Sequence, residues 1–301
     1  MNQSASDRRW DQSPSKVHQS TGSSKRQAIL VLGMHRSGTS ALGGVLSALG
    51  VAGPNTQTSP NEWNPRGYFE SHRIFTAHDE LLASIGSCWD DWRQLDPQWL
   101  QAKAGWQREA IKALLLDEFR NEPLIFIKDP RICRFVPFVR SILAELNFRA
   151  VAVIPIRNPV EVAYSLKRRD KIAMPKSILM WLRHVLDAEF YSRQMSRCFL
   201  SYEKLLIDWR GQMERVAENI GIRWPDRSHP YDITIRDFLT TDLRHERSSL
   251  EELNNHPDIS HVAKDTYNIL MRMTCSGESQ ELLNLLDLAR TKFDEECKLM
   301  D

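Results

Sequence analysis

A glycine loop between a short apolar run and a predicted helix has residue types and spacing suited to chemistry. The run Ala28–Leu32 ends at Gly33, four residues separate Gly33 from Gly38, and a helix-like stretch follows. The backbone N–H groups of such a loop converge on one point, and the dipole of the helix favours an anion there. The predicted phosphate site comprises Arg36, Ser37, Gly38, Thr39 and Ser40.

The loop departs from the motif of nucleotide triphosphatases at one position. Those enzymes carry the pattern GxxxxGK[ST], in which the lysine reaches the β- and γ-phosphates. Thr39 stands at the lysine position here, and the nearest cation within the loop is Arg36. This departure is informative about which anion the loop binds.

Further cations stand where other apolar runs end. Two short apolar runs end in Lys128 and Arg157, and a third ends at Tyr202. Apolar runs that alternate with helical segments predict an α/β fold on a parallel sheet with right-handed crossovers. Ligands of such sheets bind at the carboxyl ends of the strands. An anionic ligand lying across these ends explains why three of the four turns carry a cation.

The helix predicted after Arg157 adds two donors. Ser165 and Arg169 are four residues apart and share one helix face, so all three side chains could surround one phosphate. Arginine offers a planar donor fork to phosphate oxygens, and serine adds a neutral donor. The alternative is that the segment 167–171 (Lys-Arg-Arg-Asp-Lys) is only a solvated run of charges.

Together these residues resemble the sulfotransferases that use 3′-phosphoadenosine 5′-phosphosulfate (PAPS). The loop Arg36–Ser40 resembles their 5′-phosphosulfate loop. Arg157, Ser165 and Arg169 match in type and spacing the 3′-phosphate site of the tyrosylprotein and carbohydrate members. The resemblance thereby accounts for the missing lysine, because this donor carries separate 3′- and 5′-phosphates and needs no bound Mg²⁺.

Other motifs carry the resemblance along residues 28–225. Lys128-Asp129-Pro130 resembles the strand-end motif whose lysine steadies the transferring sulfuryl group, and Tyr202-Glu203 resembles a Tyr-Glu after a later core strand. The segment 64–70 (Asn-Pro-Arg-Gly-Tyr-Phe-Glu) is similar to bacterial sulfotransferase-family proteins. Beyond residue 225 no motif matches, and a covering loop around Arg244 is only a guess.

The resemblance implies a P-loop-containing three-layer α/β/α domain with a central parallel sheet and a helical C-terminal tail. It implies metal-independent, in-line transfer of a sulfuryl group from PAPS to a hydroxyl acceptor, a saccharide or glycolipid, with release of 3′-phosphoadenosine 5′-phosphate (PAP). The implied donor-binding residues are Arg36, Ser37, Gly38, Thr39, Ser40, Arg157, Ser165, Arg169 and Tyr202. Lys128 and Arg36 are the candidates to neutralise the charge that grows during transfer.

A hydroxyl acceptor must lose its proton as it attacks, so a base is required. Glu70 is the first candidate, by analogy with the catalytic glutamate of the related enzymes, and Glu62 and His72 remain open. The simpler alternative makes Glu70 a surface partner of Arg66 or Arg73. We expect His35 to be a packed loop residue, and Asp129, Asn158 and Glu161 to be helix caps.

Four tryptophans, Trp89, Trp92, Trp99 and Trp106, are spread over the segment 86–106. They either pack into an irregular cap or form an aromatic wall that stacks on sugar rings of the acceptor. The segment 224–257 is polar and is predicted to be irregular. An amphipathic helix is predicted from Gln280 to Met300.

Composition narrows the class of protein. The 301 residues carry a net charge of +1, with 42% apolar and 26% charged residues, which is typical of a globular protein and does not indicate a nucleic-acid partner. Five scattered cysteines indicate reduced thiols. We expect a disordered arm over 1–26, a single domain over 27–301, no membrane span and a cytoplasmic location; the oligomeric state is open.

Two other functions compete with sulfuryl transfer. A P-loop kinase for a small metabolite would need Mg²⁺–ATP and a lysine in the loop, and Thr39 argues against it. A non-catalytic nucleotide-binding module would bind the donor while Lys128 and Glu70 contributed nothing to activity.

Overall fold

Four apolar runs form one parallel sheet in the computed structural model, which describes residues 26–95, 105–225, 231–239 and 247–300. The strands are β1 (Arg26–Val31), β2 (Leu124–Lys128), β3 (Phe148–Ile156) and β4 (Arg197–Ser201), in the order β2-β1-β3-β4. All three pairings are parallel. The sequence prediction of a parallel α/β sheet is therefore confirmed.

Helices connect and cover these strands throughout the described ranges. In chain order they are α1 (Thr39–Ala48), α2 (His72–Ser84), α3 (Gly105–Phe119), α4 (Val136–Glu145), α5 (Pro159–Asp170), α6 (Met174–Ser192), α7 (Tyr202–Ile207), α8 (Trp209–Ile220), α9 (Tyr231–Phe238), α10 (Leu250–Asn255), α11 (His261–Ser276) and α12 (Gln280–Lys298). A short 3₁₀ helix, Pro130–Arg134, follows β2. The helix predicted near the C-terminus is confirmed as α12.

Side chains of the sheet alternate between two apolar clusters, one on each face. In β1, Ala28 and Leu30 join the cluster formed with α2 to α6 and with α11 and α12. Ile29 and Val31 join the other cluster, which includes α1, α8 and α9. Such continuous apolar strands are typical of parallel sheets that are buried on both faces. The three-layer α/β/α class predicted from the sequence is confirmed.

The carboxyl ends of the four strands lie along one edge of the sheet. The glycine loop (residues 33–40) follows β1, and Lys128 is the last residue of β2, opposite Val31 in the register. Arg157 follows β3 directly, and Tyr202 follows β4. The sheet thus brings together the four chain segments that the sequence marked as functional.

Several sequence predictions fall outside the described residues. The arm over 1–26 lies there except for Arg26, which begins β1, and so do Trp99 and Arg244. The segment 224–257 is not wholly irregular as predicted, because α9 and α10 lie within it. None of the helices in the described ranges is both long enough and apolar enough to cross a membrane.

Candidate active site

A cavity of about 610 Å³ opens at the carboxyl edge of the sheet. Its charged lining residues are the cations Arg36, Arg66, Lys128, Arg131, Arg157, Arg168 and Arg169 and the carboxylates Glu62 and Glu70. The size suits a nucleotide-sized ligand. Because cations outnumber carboxylates in the lining, the cavity favours an anion with several charges.

The glycine loop presents the N-terminus of α1 to this cavity. Gly38 is the N-cap residue, with φ at 87°, and no side chain caps the helix. The first turn holds no acidic residue, so the backbone N–H groups of Thr39, Ser40 and Ala41 are available to an anion. Ser37, by contrast, was predicted to bind the donor but is fully buried and does not line the cavity; its N–H donates to the carbonyl of Met34 at 3.1 Å.

Gly38 is also the point at which Tyr202 packs on the loop. A Cβ atom at position 38 would lie 2.2 Å from the Tyr202 ring, so only glycine allows this contact. The same ring lies 4.9 Å from the guanidinium carbon of Arg157. Tyr202 therefore contacts both predicted phosphate motifs.

The arginine–serine cluster (Arg36, Arg157, Ser165 and Arg169) joins these two motifs. Arg36 Nε donates to Ser165 Oγ at 2.8 Å, and Arg157 Nη1 donates to the carbonyl oxygen of Arg36 at 2.8 Å. Burial, followed by the charges of Arg169 and Arg157, lowers the pKa of Arg36 to about 10. A bound anion would relieve the electrostatic repulsion between these guanidinium groups.

Within this cluster Arg36 points toward Ser165, and its Nη1 also donates to the carbonyl of Trp63 at 3.2 Å. Its charge is thus placed with the predicted 3′-phosphate residues. Arg169 lines the cavity and holds Asp170 at 2.7 Å through Nε. The cation placed beside the candidate base is Lys128.

Lys128 and Glu70 form a buried pair on the other side of the glycine loop. Lys128 Nζ lies 2.5 Å from Glu70 Oε1 and 3.0 Å from Ser40 Oγ. The Lys128 side chain is 3% exposed and that of Glu70 is 9% exposed. Burial raises the pKa of Glu70, and the ammonium of Lys128 opposes that rise. A carboxylate with a raised pKa beside a cavity is suited to accept a proton.

The backbone fixes the direction of Glu70. Phe69 adopts a left-handed conformation, with φ at 56°. The N–H and Oγ of Thr58 donate to the carbonyl oxygen of Glu70, at 2.8 Å and 3.2 Å. The surface alternative for Glu70 is therefore wrong, because its carboxylate is buried against Lys128, while Arg73 pairs with Asp117.

The other candidate bases are less suitably placed than Glu70 to accept a proton from a substrate in the cavity. Glu62 lines the cavity but is exposed, and His72 is exposed at the start of α2, outside the cavity lining. His35 packs edge-on to Trp89, with ring centroids 5.0 Å apart. Burial, followed by the charges of Arg131 and Arg169, lowers the pKa of His35 well below its ordinary value. His35 is thus a packed loop residue, as the sequence predicted, and its burial favours the neutral form.

Asp129 caps the 3₁₀ helix as predicted, but it also anchors a buried network below Lys128. Its Oδ1 accepts from Arg131 Nη1 at 3.0 Å, and its Oδ2 lies 2.7 Å from His78 Nδ1. Although burial acts against it, Arg131 and His78 hold the pKa of Asp129 below its ordinary value. Arg131 is clamped by Asp79 as well, at 2.5 Å and 2.8 Å. Arg131 directly follows the Lys128-Asp129-Pro130 motif, but no sequence signal marked His78.

Asn158 and Glu161, which were both predicted to cap α5, make tertiary contacts. Asn158 Oδ1 accepts from the N–H of Val160 at 2.9 Å, which confirms it as the N-cap of α5. The Glu161 carboxylate accepts from Arg157 Nε at 2.8 Å and from the N–H of Ser248 at 3.1 Å. Glu161 therefore holds Arg157 in place, a role that the sequence did not predict.

The tryptophans divide between the cavity and the surface. Trp89 lines the cavity, Trp92 packs against the core, and Trp106 is 65% exposed. The described tryptophans of this segment thus do not form one continuous wall. Trp63, which the sequence analysis did not single out, lines the cavity from the loop before Asn64.

Solved structures that resemble this chain are sulfotransferases. The sulfotransferase domain of a Synechococcus olefin synthase is 20% identical over 90% of this chain and 97% of its own, with a TM-score of 0.42. Sulfotransferase STF9 from Mycobacterium avium is 14% identical over 84% of this chain and 78% of its own, with a TM-score of 0.47. The sulfotransferase domain of the curacin biosynthetic pathway is 13% identical over 87% of this chain and 97% of its own, with a TM-score of 0.40.

No protein-family model and no curated protein matches the chain. At these identities and TM-scores the structural similarity is no evidence for the chemistry of this chain. The assignment of function therefore rests on the cavity itself.

Proposed function

We propose that this protein transfers a sulfuryl group from PAPS to the hydroxyl group of an acceptor. One observation carries the proposal: a single cavity is lined by the three arginines of the arginine–serine cluster, by an uncapped helix N-terminus and by the Lys128–Glu70 pair. The first two features fit two separate phosphates. The third fits a proton acceptor beside a charge-stabilising cation.

The residues of the cavity fit this donor. The free N–H groups at the start of α1 and the hydroxyl of Ser40 would hold the 5′-phosphosulfate. Arg157, Ser165 and Arg169, joined by Arg36, would hold the 3′-phosphate through charge-assisted hydrogen bonds. When bound, the donor supplies a sulfuryl group on a phosphate leaving group.

The reaction then needs one proton transfer and one displacement. The acceptor oxygen forms a bond to sulfur, the bond between sulfur and the 5′-phosphate oxygen breaks, and its electron pair leaves with PAP. Glu70 takes the proton of the acceptor hydroxyl. Lys128 balances the negative charge that grows on the transferring group and the leaving phosphate, and loss of one such preorganised donor typically costs about 10²–10³ in rate.

The acceptor in this proposal is a hydroxyl group on a saccharide or glycolipid. The aromatic side chains that line the cavity include Trp63, Tyr68 and Trp89. Aromatic faces stack on sugar rings, which supports a ring-bearing acceptor.

Binding of the desulfated product tests the donor assignment. We expect saturating PAP to raise the melting temperature, because a ligand that binds only the folded state stabilises it. Arg157→Ala should abolish most of the rise. No rise with PAP, together with a rise with Mg²⁺–ATP, would refute the proposal in favour of a kinase; PAP binding without transfer to any acceptor would favour a binding module.

A further inference from the structure

The hydroxyl of Ser40 lies at the centre of three groups in the candidate site. Ser40 is in the first turn of α1 and lines the cavity. Its Oγ lies 3.0 Å from Lys128 Nζ and 3.0 Å from Asn64 Nδ2. Both contacts are within hydrogen-bond distance, and both partners are nitrogen atoms that donate.

These two contacts determine what the Ser40 hydroxyl can still do. A serine hydroxyl has one hydrogen to donate and two lone pairs with which to accept. The ammonium of Lys128 and the amide of Asn64 occupy both lone pairs. The hydrogen of Ser40 is therefore left to donate to a third group, beside the uncapped N–H groups of the helix.

Asn64 is itself held firmly. The backbone N–H of Asn64 donates to the backbone carbonyl oxygen of Asn61 at 3.1 Å. The backbone carbonyl oxygen of Asn64 accepts from the N–H of Gly67 at 3.0 Å. These bonds form a tight turn within the segment 61–67, so the amide of Asn64 reaches Ser40 from a fixed backbone. Asn64 begins the segment 64–70 that resembles bacterial sulfotransferase-family proteins, but neither phosphate binding nor the proton transfer uses its side chain.

We propose that Asn64 is a positioning residue that keeps Ser40 oriented as a hydrogen-bond donor toward the anion at the N-terminus of α1. This inference rests on the proposed function, since the anion is the 5′-phosphosulfate of the donor. Asn64 does not touch the reacting atoms. It acts through Ser40, and through Ser40 it also helps to set the position of Lys128 Nζ.

The chemistry of the amide makes the proposal specific. In Asn64→Asp the introduced carboxylate accepts hydrogen bonds but cannot donate, so it draws the hydrogen of Ser40 to itself. Ser40 then offers no hydrogen to the ligand. At a pH low enough to protonate that carboxyl, its O–H can donate again and restore the native arrangement. Asn64→Ala removes the amide without adding a charge.

The experiment is a double-mutant cycle read by PAP affinity and by kcat at saturating donor. We expect Asn64→Asp to weaken PAP binding about tenfold to a hundredfold at pH 8, as for loss of a hydrogen bond to a charged group. The loss should shrink only as the pH approaches the ordinary aspartate pKa of about 3.9. Asn64→Ala should weaken PAP binding less than Asn64→Asp does. In the Ser40→Ala background, Asn64→Ala should weaken PAP binding no further. Asn219→Asp, the same change at an exposed position on α8, is the matched control and should bind PAP as the wild type does.

Two outcomes overturn the inference, and they are distinguishable. Wild-type protein that does not bind PAP overturns the proposed function, and the role of Asn64 with it. Wild-type protein that binds PAP, with Asn64→Ala equally harmful with and without Ser40, overturns the positioning role alone. Unfolding midpoints of all variants are measured in parallel, and if Asn64→Asp does not fold, the cycle with Asn64→Ala decides the question.

Discussion

The burial of the Lys128–Glu70 pair leads to a quantitative prediction about the free energy of unfolding as well as about activity. Lys128→Met keeps most of the length of the side chain and removes its charge. The two side chains are 3% and 9% exposed, so water does little to replace the lost partner. Removing one member of a buried ion pair is strongly destabilising because it leaves a charge without compensation.

The penalty has a ceiling, because Glu70 can take up a proton. The gap between pH 7 and the ordinary glutamate pKa of 4.5 sets that ceiling at about 3.4 kcal/mol, at about 1.36 kcal/mol per pH unit. In the variant the pKa of Glu70 in the folded state lies above its unfolded value. The penalty is therefore present at neutral pH and disappears as the pH falls toward 4.5.

Urea unfolding at pH 7 and pH 5 measures this effect in the wild type, Lys128→Met, Glu70→Gln and the double variant. We expect Lys128→Met to lose about 2–3 kcal/mol at pH 7 and less than about 1 kcal/mol at pH 5. The double variant should recover most of the loss and still show no sulfuryl transfer. An equal loss at both pH values, with no recovery in the double variant, would refute the assignment of a buried charge pair.

Three further predictions address the rest of the site and the core. Arg157→Ala should weaken PAP binding about tenfold to a hundredfold by titration calorimetry, with kcat at saturating donor little changed, whereas Arg149→Ala at the other end of β3 should bind normally. Gly38→Ala should lose about 1–2 kcal/mol in urea unfolding from backbone strain at φ 87° and should displace Tyr202, so unchanged stability would count against the loop packing. Burial lowers the pKa of His184 to about 3, so His184 alone should contribute about 1.4 kcal/mol to the fall in stability from pH 8 to pH 5.5, and an NMR titration of His184 near its ordinary 6.5 would contradict this.

The sheet and the location of the site could be predicted from the sequence for a physical reason. Strands buried on both faces need uninterrupted apolar runs, and such runs are visible in a single sequence. Because parallel strands end at one edge, the residues that follow them, such as Lys128 and Arg157, had to lie near the glycine loop.

The contacts that define the chemistry could not be predicted in the same way. The hydrogen bond between Arg36 and Ser165 joins residues 129 positions apart and depends on how α5 packs against the glycine loop. The pairing of His78 with Asp129 likewise depends on the packing of α2 beside the 3₁₀ helix. Local spacing contains no information about either contact.

Helix α9 shows the same limit within the fold. Its segment is polar and was predicted to be irregular, yet it is helical from Tyr231 to Phe238. The Phe238 ring fills the space above Gly44 of α1, where a Cβ atom would lie only 2.1 Å from it. Ile235 is buried in the same apolar cluster and Phe69 packs edge-on to Phe238, so this short helix is stabilised by a few tertiary contacts of apolar side chains within a polar segment.

We propose above all that the protein transfers a sulfuryl group in this cavity and that Glu70 is the base. The most direct test is transfer of sulfur label from PAPS to a panel of hydroxyl acceptors by wild-type protein and by Glu70→Gln. We predict label on an acceptor with the wild type, and a loss of about 10²–10⁴ in rate with Glu70→Gln while PAP affinity is unchanged. Transfer by Glu70→Gln at the wild-type rate would contradict the account.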